Sequence, residues 1–509
     1  MATAQDCALV GLEGALVEVQ VAITDGLPEF TIVGLPDVRV NEAKERVHAA
    51  IVSSGYHFPN KHISVYLAPA ELLKEDPICG LSMAVGILLA SGQIKPSAQT
   101  ADALFLGELS PDGRVRHRNG ILPMVMLAAR ERIRTVFVSL DDRVEATIVE
   151  GVTVYPVTTL GELVVHLNDE WRLEPYKRDP HLFESFNEIV DPRDVSSVRG
   201  QEHVKRVLEV AASGGHHILM TGPPGSGKTL LARTIPSLLP QLDRREALDI
   251  AKIYSVGGLL PPHMQQVLQR PFRALPHTIG FDGLAGVGRI PPPGEASLAH
   301  RGILFLDEIS EFGKDLLEGV RQLLEDKVIM LSRAQGVITY PANFMLVATM
   351  VPCPCGFFGD PVKNCTCSPA AISRYRKHIG QQLLDRIDLH VEVPRIDYAK
   401  LANKRRVETS AAIRHRVQAA RDRQLQRFAG MNLACNAEMG PGEVQDFCKV
   451  EPAAESLLRA AVQQLCLSDH TLHQTLRVAR TIADLVGSEL IAANHLAEAI
   501  HYRSRMGMW

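Results

Sequence analysis

The sequence predicts an α/β protein in three parts, with two α/β domains followed by a helical bundle. Short β-rich runs alternate with helical stretches as far as about residue 170. A strand, loop and helix pattern returns between residues 195 and 394, and strand patterns vanish beyond Arg395. A chain of 509 residues is also long enough for two or three separate cores.

The composition is that of a folded α/β protein, with 46% hydrophobic and 22% charged residues. Lys and Arg number 54 against 58 Asp and Glu, so the net charge of -4 gives no overall attraction to nucleic acid or membrane. The beginning of the chain has no signal-peptide pattern, and no apolar run reaches membrane-spanning length. Together with an odd number of cysteines, nine, this predicts a cytoplasmic protein with no membrane partner.

The elements follow from periodicity. In the first domain, residues 1–170, we expect strands and helices at 15–19, 30–33, 41–53, 63–67, 81–91 and 135–138. A proline-containing linker is expected at 171–194. The second domain, residues 195–394, has buried-strand candidates at 218–220 and 303–306. Residues 395–509 form the bundle, with predicted helices at 400–428, 451–465, 471–486 and 492–504.

A phosphate-binding loop lies directly after the first strand of the second domain and before a helix predicted at 230–239. Its residues match G-x-x-x-x-G-K-[ST] in full, and with the next residue they form the predicted nucleotide site: Gly222, Pro223, Pro224, Gly225, Ser226, Gly227, Lys228, Thr229 and Leu230. Backbone N–H groups would surround the phosphates of ATP, Lys228 would contact the β and γ oxygens, and Thr229 would bind Mg²⁺. A chance glycine-rich turn is the alternative.

Two acidic residues follow the strand at 303–306. Asp307 would hold Mg²⁺, and Glu308 would polarise the attacking water. Two acids at a strand end can also be a solvated turn. The carboxyl end of a core strand is, however, where α/β sheets bind ligands, which favours the catalytic interpretation.

These motifs resemble the YifB/ComM family of magnesium-chelatase-like AAA+ ATPases over nearly the whole chain. Beside the phosphate loop, the matching segments are VGLPD at 33–37, LAPAEL at 67–72, RPFR at 270–273, PGEASLAH at 293–300, CPCG at 353–356, LLDRID at 383–388 and ARTIADL at 479–485. The resemblance implies an AAA+ core, a helical lid, and a homo-oligomeric ring, which we expect to be a hexamer.

The resemblance also indicates where a substrate would lie. The interval between Lys228 and Asp307 suits a helical insert at 275–293, and a β-hairpin is predicted from 328–331 and 337–340. In related rings such elements face the pore. The candidate DNA contacts are therefore Arg273, His277, Arg289 and Arg333, although each could equally belong to a solvated surface loop.

Arg386 resembles the arginine finger that reaches the γ-phosphate in a neighbouring subunit; a surface salt bridge is its alternative. The sequence departs from the family in three places. Before Leu383, residues 378–382 read HIGQQ where the family usually has R-x-S-G-P. Val351 replaces an Asn that orients water, so Thr349 or Asn343 would have to substitute. His470 stands where an Arg is expected in the bundle. We therefore predict weak or altered ATP turnover.

Two C-x-C pairs supply four thiols: Cys353, Cys355, Cys365 and Cys367. Four thiolates suit tetrahedral Zn²⁺, and a closed Cys₄ set indicates a structural metal. A redox pair and reduced free thiols are the alternatives. Chelatase motor subunits, as a family, lack this insertion, so the cluster favours the YifB/ComM resemblance.

The first domain resembles the Lon-type protease fold, whose dyad is a Ser and a Lys. Residues 77–80 read PICG where such proteases have PSAG, and no lysine occurs at 119–129, where the Lys would lie. Ser82 is out of register, and Cys79 is expected to be a small buried residue. We therefore expect an assembly or partner-binding module.

The family resemblance implies a ring motor on single-stranded or branched DNA, a branch-migration helicase of natural transformation. The residues themselves add a basic helical stretch, which could follow phosphates or be a solvated face. It comprises Lys404, Arg405, Arg406, Arg414, Arg416, Arg421, Arg423 and Arg427. The alternatives are a metal-chelatase motor and a nucleotide-switched structural or protein-remodelling ring with weak ATPase activity.

Overall fold

The computed structural model describes residues 1–33, 37–69, 79–178, 193–260, 269–288, 291–333, 336–395, 408–465 and 467–504. It has the mixed α/β architecture that the sequence predicts, with two main sheets and a helical C-terminal region. No helix in these ranges combines the length and the apolar character needed to cross a membrane.

The first sheet and its helices lie between residues 2 and 167. The strands are β1 (Ala2–Val10), β2 (Glu13–Thr24), β3 (Glu29–Val33), β4 (His62–Ala68), β5 (Ala103–Phe105), β6 (Glu108–Leu109), β7 (Val115–Arg116), β8 (Thr135–Ser139) and β9 (Thr153–Val157). The helices are α1 (Asp37–Ser53), α2 (Gly80–Ala90), α3 (Ala98–Ala101), α4 (Ile121–Arg130), α5 (Arg143–Ala146) and α6 (Leu160–Leu167).

The strand order of this sheet is β3-β4-β2-β1-β5-β8-β9, while β6 and β7 pair with each other in a separate two-stranded sheet. β2 pairs antiparallel with β1 and β4, and the other neighbours are parallel. Successive residues of a strand serve opposite faces. Phe137 packs into the core that contains α2 and α6, whereas Val136 and Val138 pack into the core of α4. Apolar side chains thus cover both faces of β8.

The second sheet and its helices lie between residues 202 and 392. The strands are β10 (Ile218–Thr221), β11 (Phe272–Ala274), β12 (Ile303–Leu306), β13 (Val328–Arg333), β14 (Gly336–Pro341), β15 (Met345–Met350) and β16 (Leu389–Glu392). The helices are α7 (Glu202–Gly214), α8 (Lys228–Ala232), α9 (Arg244–Val256), α10 (Phe281–Ala285), α11 (Glu295–Leu298), α12 (Lys314–Asp326), α13 (Pro369–Ile379) and α14 (Gln381–Arg386).

This sheet is parallel, in the order β11-β12-β15-β10-β16. Ile303 and Phe305 face the core that α7 and the C-terminal helices share, and Leu304 and Leu306 face the core of α12 and α14. A parallel sheet needs cover on both faces, which explains the continuous apolar run of β12. All its carboxyl ends meet at one edge. β13 and β14 form the separate antiparallel hairpin that the sequence predicts.

The C-terminal region is helical, as expected. Its helices are α15 (Ser410–Arg427), α16 (Pro441–Phe447), α17 (Pro452–Leu465), α18 (Asp469–Val486) and α19 (Ala493–Ser504). Helices α15 and α18 both pack against α7, so the bundle covers one face of the second sheet.

Three predicted segments differ in the structure. The helix expected at 230–239 ends with α8 at Ala232, and a separate 3₁₀ turn follows at Ile235–Leu238, where Pro236 lacks an N–H donor. In the described part, the insert at 275–293 holds only the short helix α10. The linker expected at 171–194 is partly packed on the first domain, because Leu173 is buried there; its residues 179–192 lie outside the described ranges.

Helix α9 joins the two sheets. Apolar residues of α9 pack against α4 and its surroundings in one small core: Leu122, Ile148, Ala247, Ile250 and Ala251. The Gly120 amide donates to the Ser255 carbonyl at 3.0 Å. Glu145 accepts a hydrogen bond from the Ser255 hydroxyl at 2.6 Å and another from the Leu122 amide at 2.7 Å. Burial raises the pKa of Glu145 to about 7.

Candidate nucleotide site

The phosphate loop connects β10 to α8 at the carboxyl edge of the second sheet. Gly225 and Gly227 have φ angles of +78° and +92°, which side-chain-bearing residues rarely adopt. At Gly222, a Cβ atom would lie 2.2 Å from the Val393 carbonyl oxygen, so only glycine fits. Local backbone geometry therefore explains each of the three glycines.

Lys228 is folded back over this loop. Its ammonium donates to the carbonyls of Gly222 and Pro223 at 2.8 and 3.0 Å. Burial lowers the pKa of Lys228, and the nearby carboxylates Glu308 and Asp307 oppose that shift. A buried cation that two acids support is suited to an anionic group beside it.

Asp307 is held by two hydroxyl groups. Thr229 Oγ1 donates to both Asp307 oxygens, at 3.0 and 3.1 Å, and Thr349 Oγ1 donates to Oδ1 at 2.7 Å. Thr349 Oγ1 also accepts a hydrogen bond from the Glu308 backbone amide at 2.8 Å. Three neighbouring elements, α8, β12 and β15, thus meet in one hydrogen-bonded group. Thr349 is one of the two residues suggested as a substitute for the Asn that Val351 replaces, and its role toward a water molecule stays a prediction.

The other suggested substitute is at the wrong end of the strand. Asn343 precedes β15, and its amide nitrogen donates to Glu438 of the C-terminal region at 2.5 Å. Glu308 has a left-handed backbone with φ +54°, an uncommon conformation for a non-glycine residue that recurs at functional sites.

These residues fit a magnesium nucleotide. Thr229 and Asp307 offer hydroxyl and carboxylate oxygens, the ligand type that Mg²⁺ prefers. The Ser226 hydroxyl is buried in the loop and has no hydrogen-bond partner among the described residues. A phosphate oxygen would supply that partner. Leu230 is 47% exposed within α8, and its place in the nucleotide site stays a prediction.

Arg386 lies in a separate groove of about 810 Å³ between α14 and α18. Its guanidinium pairs with Glu325 at 2.8 Å and contacts His470 Nε2 at 2.9 Å. The two residues that the sequence singles out on different domains, Arg386 and His470, are therefore direct neighbours. Gln474 and Arg503 donate to backbone carbonyls at residues 385–387.

The predicted DNA contacts are dispersed. Arg273 forms a bidentate ion pair with Glu295, with both N–O distances 2.6 Å. His277 is exposed, and its ring lies against Phe312. Arg333 ends β13 at the hairpin tip, but its side chain lies outside the described part, as does Arg289 entirely. Arg273 is thus engaged within the chain, and the DNA contacts stay predictions.

The basic stretch on α15 is used internally. Arg416 pairs with Glu209 and Glu408, and Arg427 pairs with Asp484. Arg414, Arg421 and Arg423 donate to backbone carbonyls. These arginines therefore form neither a phosphate track nor a freely solvated face; they join α15 to its neighbours. Lys404, Arg405 and Arg406 lie outside the described residues.

The four cysteines converge. The sulfur atoms of Cys353, Cys355, Cys365 and Cys367 all lie within 4.8 Å of one another, and three pairs are separated by 3.3–3.6 Å. A tetrahedral Zn²⁺ with Zn–S bonds of about 2.3 Å needs sulfur separations of about 3.8 Å. Backbone N–H groups of Phe357 and Thr366 lower the pKa of Cys355 to about 5, which favours the thiolate. The donor set fits zinc.

This cysteine loop packs on the phosphate loop. A Cβ atom at Gly356 would lie 2.7 Å from the Pro224 ring, so the two loops are in close contact. The Tyr375 hydroxyl on α13 donates to the Val351 carbonyl at 3.0 Å and lies 2.7 Å from the Ser310 hydroxyl. Sequence patterns give no indication of Tyr375, because α13 carries no motif.

In the first domain, Ser82 is fully buried and donates to Asp6 at 2.6 Å. Arg118 pairs with the other Asp6 oxygen at 2.8 Å. Cys79 is also buried, at 1% exposure. Neither Ser82 nor Cys79 is accessible to a substrate in this structure, and the absence of a protease dyad stays a prediction.

Comparisons with known proteins match this arrangement. The family described as "Magnesium chelatase, subunit ChlI" matches residues 194–401, "Subunit ChlI of Mg-chelatase" matches 18–142, and "Magnesium chelatase, subunit ChlI C-terminal" matches 407–503. "Competence protein ComM" of Haemophilus influenzae is 39% identical over 503 residues, covering 98% of this chain and 96% of the relative. The chain belongs to the YifB/ComM family of magnesium-chelatase-like proteins.

Other relatives agree with this membership. "Uncharacterized protein YifB" of Escherichia coli is 38% identical over 500 residues, with 98% of this chain and 96% of the relative covered. "Lon protease 2" of Bacillus subtilis is 28% identical over 159 residues, covering 30% of this chain and 29% of the relative. The family resemblance inferred from the sequence is confirmed, with an AAA+-like core and Lon-like homology.

Proposed function

We propose that this protein is an ATP-dependent ring motor acting on single-stranded or branched DNA, a branch-migration helicase used in natural transformation. The observation that carries the ATPase part is the grouping of Lys228, Thr229, Asp307 and Glu308 at one sheet edge, with Thr349 between the acids. The DNA part is supported by the 39% identity with a relative named "Competence protein ComM".

Each residue has a definite task in this proposal. Mg²⁺ bound with ATP would neutralise developing phosphate charge. Thr229 and Asp307 would hold that ion, and the Lys228 ammonium, which contacts loop carbonyls in this structure, would contact the β and γ oxygens instead. Glu308 orients the attacking water, while Thr349 fixes its backbone and keeps Asp307 in place. Val351 cannot donate a hydrogen bond to that water, so we expect slow turnover.

The finger role of Arg386 requires an oligomer, for which a hexameric ring is proposed. Glu325 and His470 hold the guanidinium within its own chain, so reaching a neighbour's γ-phosphate requires exchange of the Glu325 pair for phosphate. Burial lowers the pKa of His470, and Arg386 lowers it further. A neutral imidazole can accept a hydrogen bond from Arg386, and because it carries no charge it does not compete with the guanidinium for the neighbour's phosphate.

The remaining parts are proposed to support the motor. Zn²⁺ held by the four cysteines would stiffen the loop that packs on Pro224 and thereby brace the phosphate loop. The first domain, with its buried Ser82, serves assembly or partner binding. The structural-switch alternative is favoured by Val351 and His470, whereas a chelatase motor has weaker support: "Magnesium-chelatase 67 kDa subunit" of Heliobacterium mobile is 28% identical and covers 32% of this chain.

The deciding experiment is ATP hydrolysis by the purified protein with and without single-stranded and forked DNA. Lys228→Ala is expected to reduce turnover roughly 100-fold or more, because it removes a preorganised cation from the phosphates. Lys314→Ala, at an exposed lysine on α12, is the matched control and should be neutral. DNA stimulation that disappears only in Lys228→Ala supports the motor; nucleotide binding with no DNA-dependent turnover in an assembled ring contradicts it and favours the switch.

The ring part has its own test. Arg386→Ala and Lys228→Ala proteins should each be inactive alone, and a mixture should regain activity, because an intact phosphate loop then meets an intact finger from its neighbour. A mixture that remains as inactive as its components contradicts a finger that acts between subunits.

A further inference from the structure

A second polar cavity lies at the opposite edge of the second sheet. It has a volume of about 70 Å³ and sits between this sheet and the C-terminal helices. Its lining includes His217, Gly302 and Phe344, which immediately precede β10, β12 and β15. Because the strands are parallel, these amino ends are remote from the phosphate loop at the carboxyl ends. The cavity is therefore separate from the proposed ATPase site.

The cavity lining contains more positive than negative charge. Four cations line it, Arg270, Arg301, Lys327 and Arg421, against two carboxylates, Glu246 and Glu438. Burial lowers the pKa of His217 to about 4, so this residue is neutral at pH 7 and contributes no charge to the cavity lining.

Two of the cations, Arg270 and Arg301, form ion pairs with the two carboxylates. Arg270 donates to both oxygens of Glu246, at 3.0 and 2.6 Å. Arg301 donates to Glu438 at 2.8 Å, and the Asn343 amide donates to the same oxygen. Both carboxylates are thus hydrogen-bonded to Arg270 and Arg301, and they act on Arg421 only through space.

The other two cations form no ion pair with a described residue, and the cavity holds four cations against two carboxylates. Arg421 is buried, and its guanidinium donates only to main-chain carbonyls, those of Ala212, Ser213 and Ala434. Lys327 is half-buried, and its ammonium has neither an ion pair nor a hydrogen bond to any described residue. In addition, Arg301 Nε is buried without a hydrogen-bond partner in the described ranges. Buried cations without compensation are costly, so the cavity favours an anion.

We propose that this cavity binds a free inorganic oxyanion, such as phosphate or sulfate, through Lys327, Arg421 and the Nε–H group of Arg301. The anion would join the loop before β12, which carries Arg301, and the C-terminal end of α12, which carries Lys327, to helix α15, which carries Arg421. A volume of about 70 Å³ admits a few water-sized groups, since a liquid water occupies roughly 30 Å³. A nucleoside or a nucleic-acid strand is too large for it.

Isothermal titration calorimetry with inorganic phosphate tests this site. The Lys228→Ala protein is the starting point, because the phosphate loop could otherwise bind the same ion. We expect it to bind phosphate, and Lys327→Met in the same background should weaken binding about tenfold by removing a charged donor. Lys314→Met is the matched control: it changes a lysine at the other end of α12 and should leave the affinity unchanged.

A second measurement, thermal unfolding, shows whether the variants are still folded and tests anion binding independently. At constant ionic strength, phosphate or sulfate should raise the melting temperature of the Lys228→Ala protein, and Lys327→Met should reduce that increase. The proposal is overturned by absence of phosphate binding to Lys228→Ala, by equal affinity in Lys327→Met, or by a single-stranded oligonucleotide that displaces the phosphate. None of these outcomes depends on ATP hydrolysis or on DNA-dependent activity.

Discussion

The two main sheets each carry a buried group of polar side chains, and the groups differ in how their hydrogen bonds are completed. In the first sheet, the carboxylate of Asp6 receives Ser82 on one oxygen and Arg118 on the other. At the phosphate loop, buried Ser226 has no partner within the described chain, and Lys228 has only loop carbonyls. A group whose donors and acceptors satisfy each other holds a fold together, whereas unmatched polar atoms beside an open edge are suited to a ligand.

Arg118→Met should give the largest change in stability. It would leave the Asp6 carboxylate buried without its cation, which costs about 3–5 kcal/mol. Chemical denaturation followed by a probe in the first domain measures the loss, and ATP affinity of the folded protein should stay unchanged. A stable variant, or one that loses only ATP affinity, would erase the distinction between the two groups.

Glu145→Gln tests the polar contact that joins the sheets. Glu145 titrates near pH 7 in the folded protein and near its ordinary value of 4.5 when unfolded. Between these two pH values Glu145 binds a proton in the folded state but not in the unfolded state. The contribution of this carboxyl group to stability is therefore greatest below pH 4.5 and falls as the pH rises to about 7. Gln stays neutral and removes this fall, with a gain on the order of 3 kcal/mol above pH 7. Parallel melting-temperature profiles of both proteins between pH 5 and 8 would contradict this.

Thr349→Val should reduce ATP turnover about tenfold, since it removes a charge-assisted hydrogen bond worth roughly 1.5 kcal/mol from Asp307 and leaves the Glu308 amide unpaired. Thr349→Ser keeps the hydroxyl and should retain most activity. Steady-state hydrolysis measures both. Equal losses in the two variants would mean that packing of the methyl group, rather than the hydroxyl, matters at this position.

The smallest effects come from a matched pair of buried serines. Ser82→Ala removes two hydrogen bonds and should cost about 1 kcal/mol of stability with no change in ATP affinity. Ser226→Ala removes a hydroxyl that has no partner, so stability should hold while ATP affinity falls a few-fold. Melting temperature and ATP titration separate the two. A peptidase activity that Ser82→Ala abolishes would overturn the structural role of Ser82.

Sequence reasoning succeeded where the determinants are local. The phosphate loop needs glycines at fixed offsets, and β12 needs a continuous apolar run, so both are readable from short segments. It failed where partners are distant in sequence. Arg416 meets Glu209 across 207 positions, which turns an apparent phosphate-binding stretch into packing contacts. The residues that line the cavity around Lys327 come from eight separate segments between residues 212 and 438, and no spacing rule connects them.

Helix α9 links the first and second sheets of the chain through several kinds of contact. Besides the apolar core and the Ser255 contacts, Lys252 pairs with Glu13 and Arg244 with Glu150, so the first sheet is attached to α9 at both ends of the helix. A rotation of the second sheet would carry the first sheet with it as a lever arm. If the joint holds during such a rotation, a small angular step of the second sheet would give a larger displacement at the outer strands of the first.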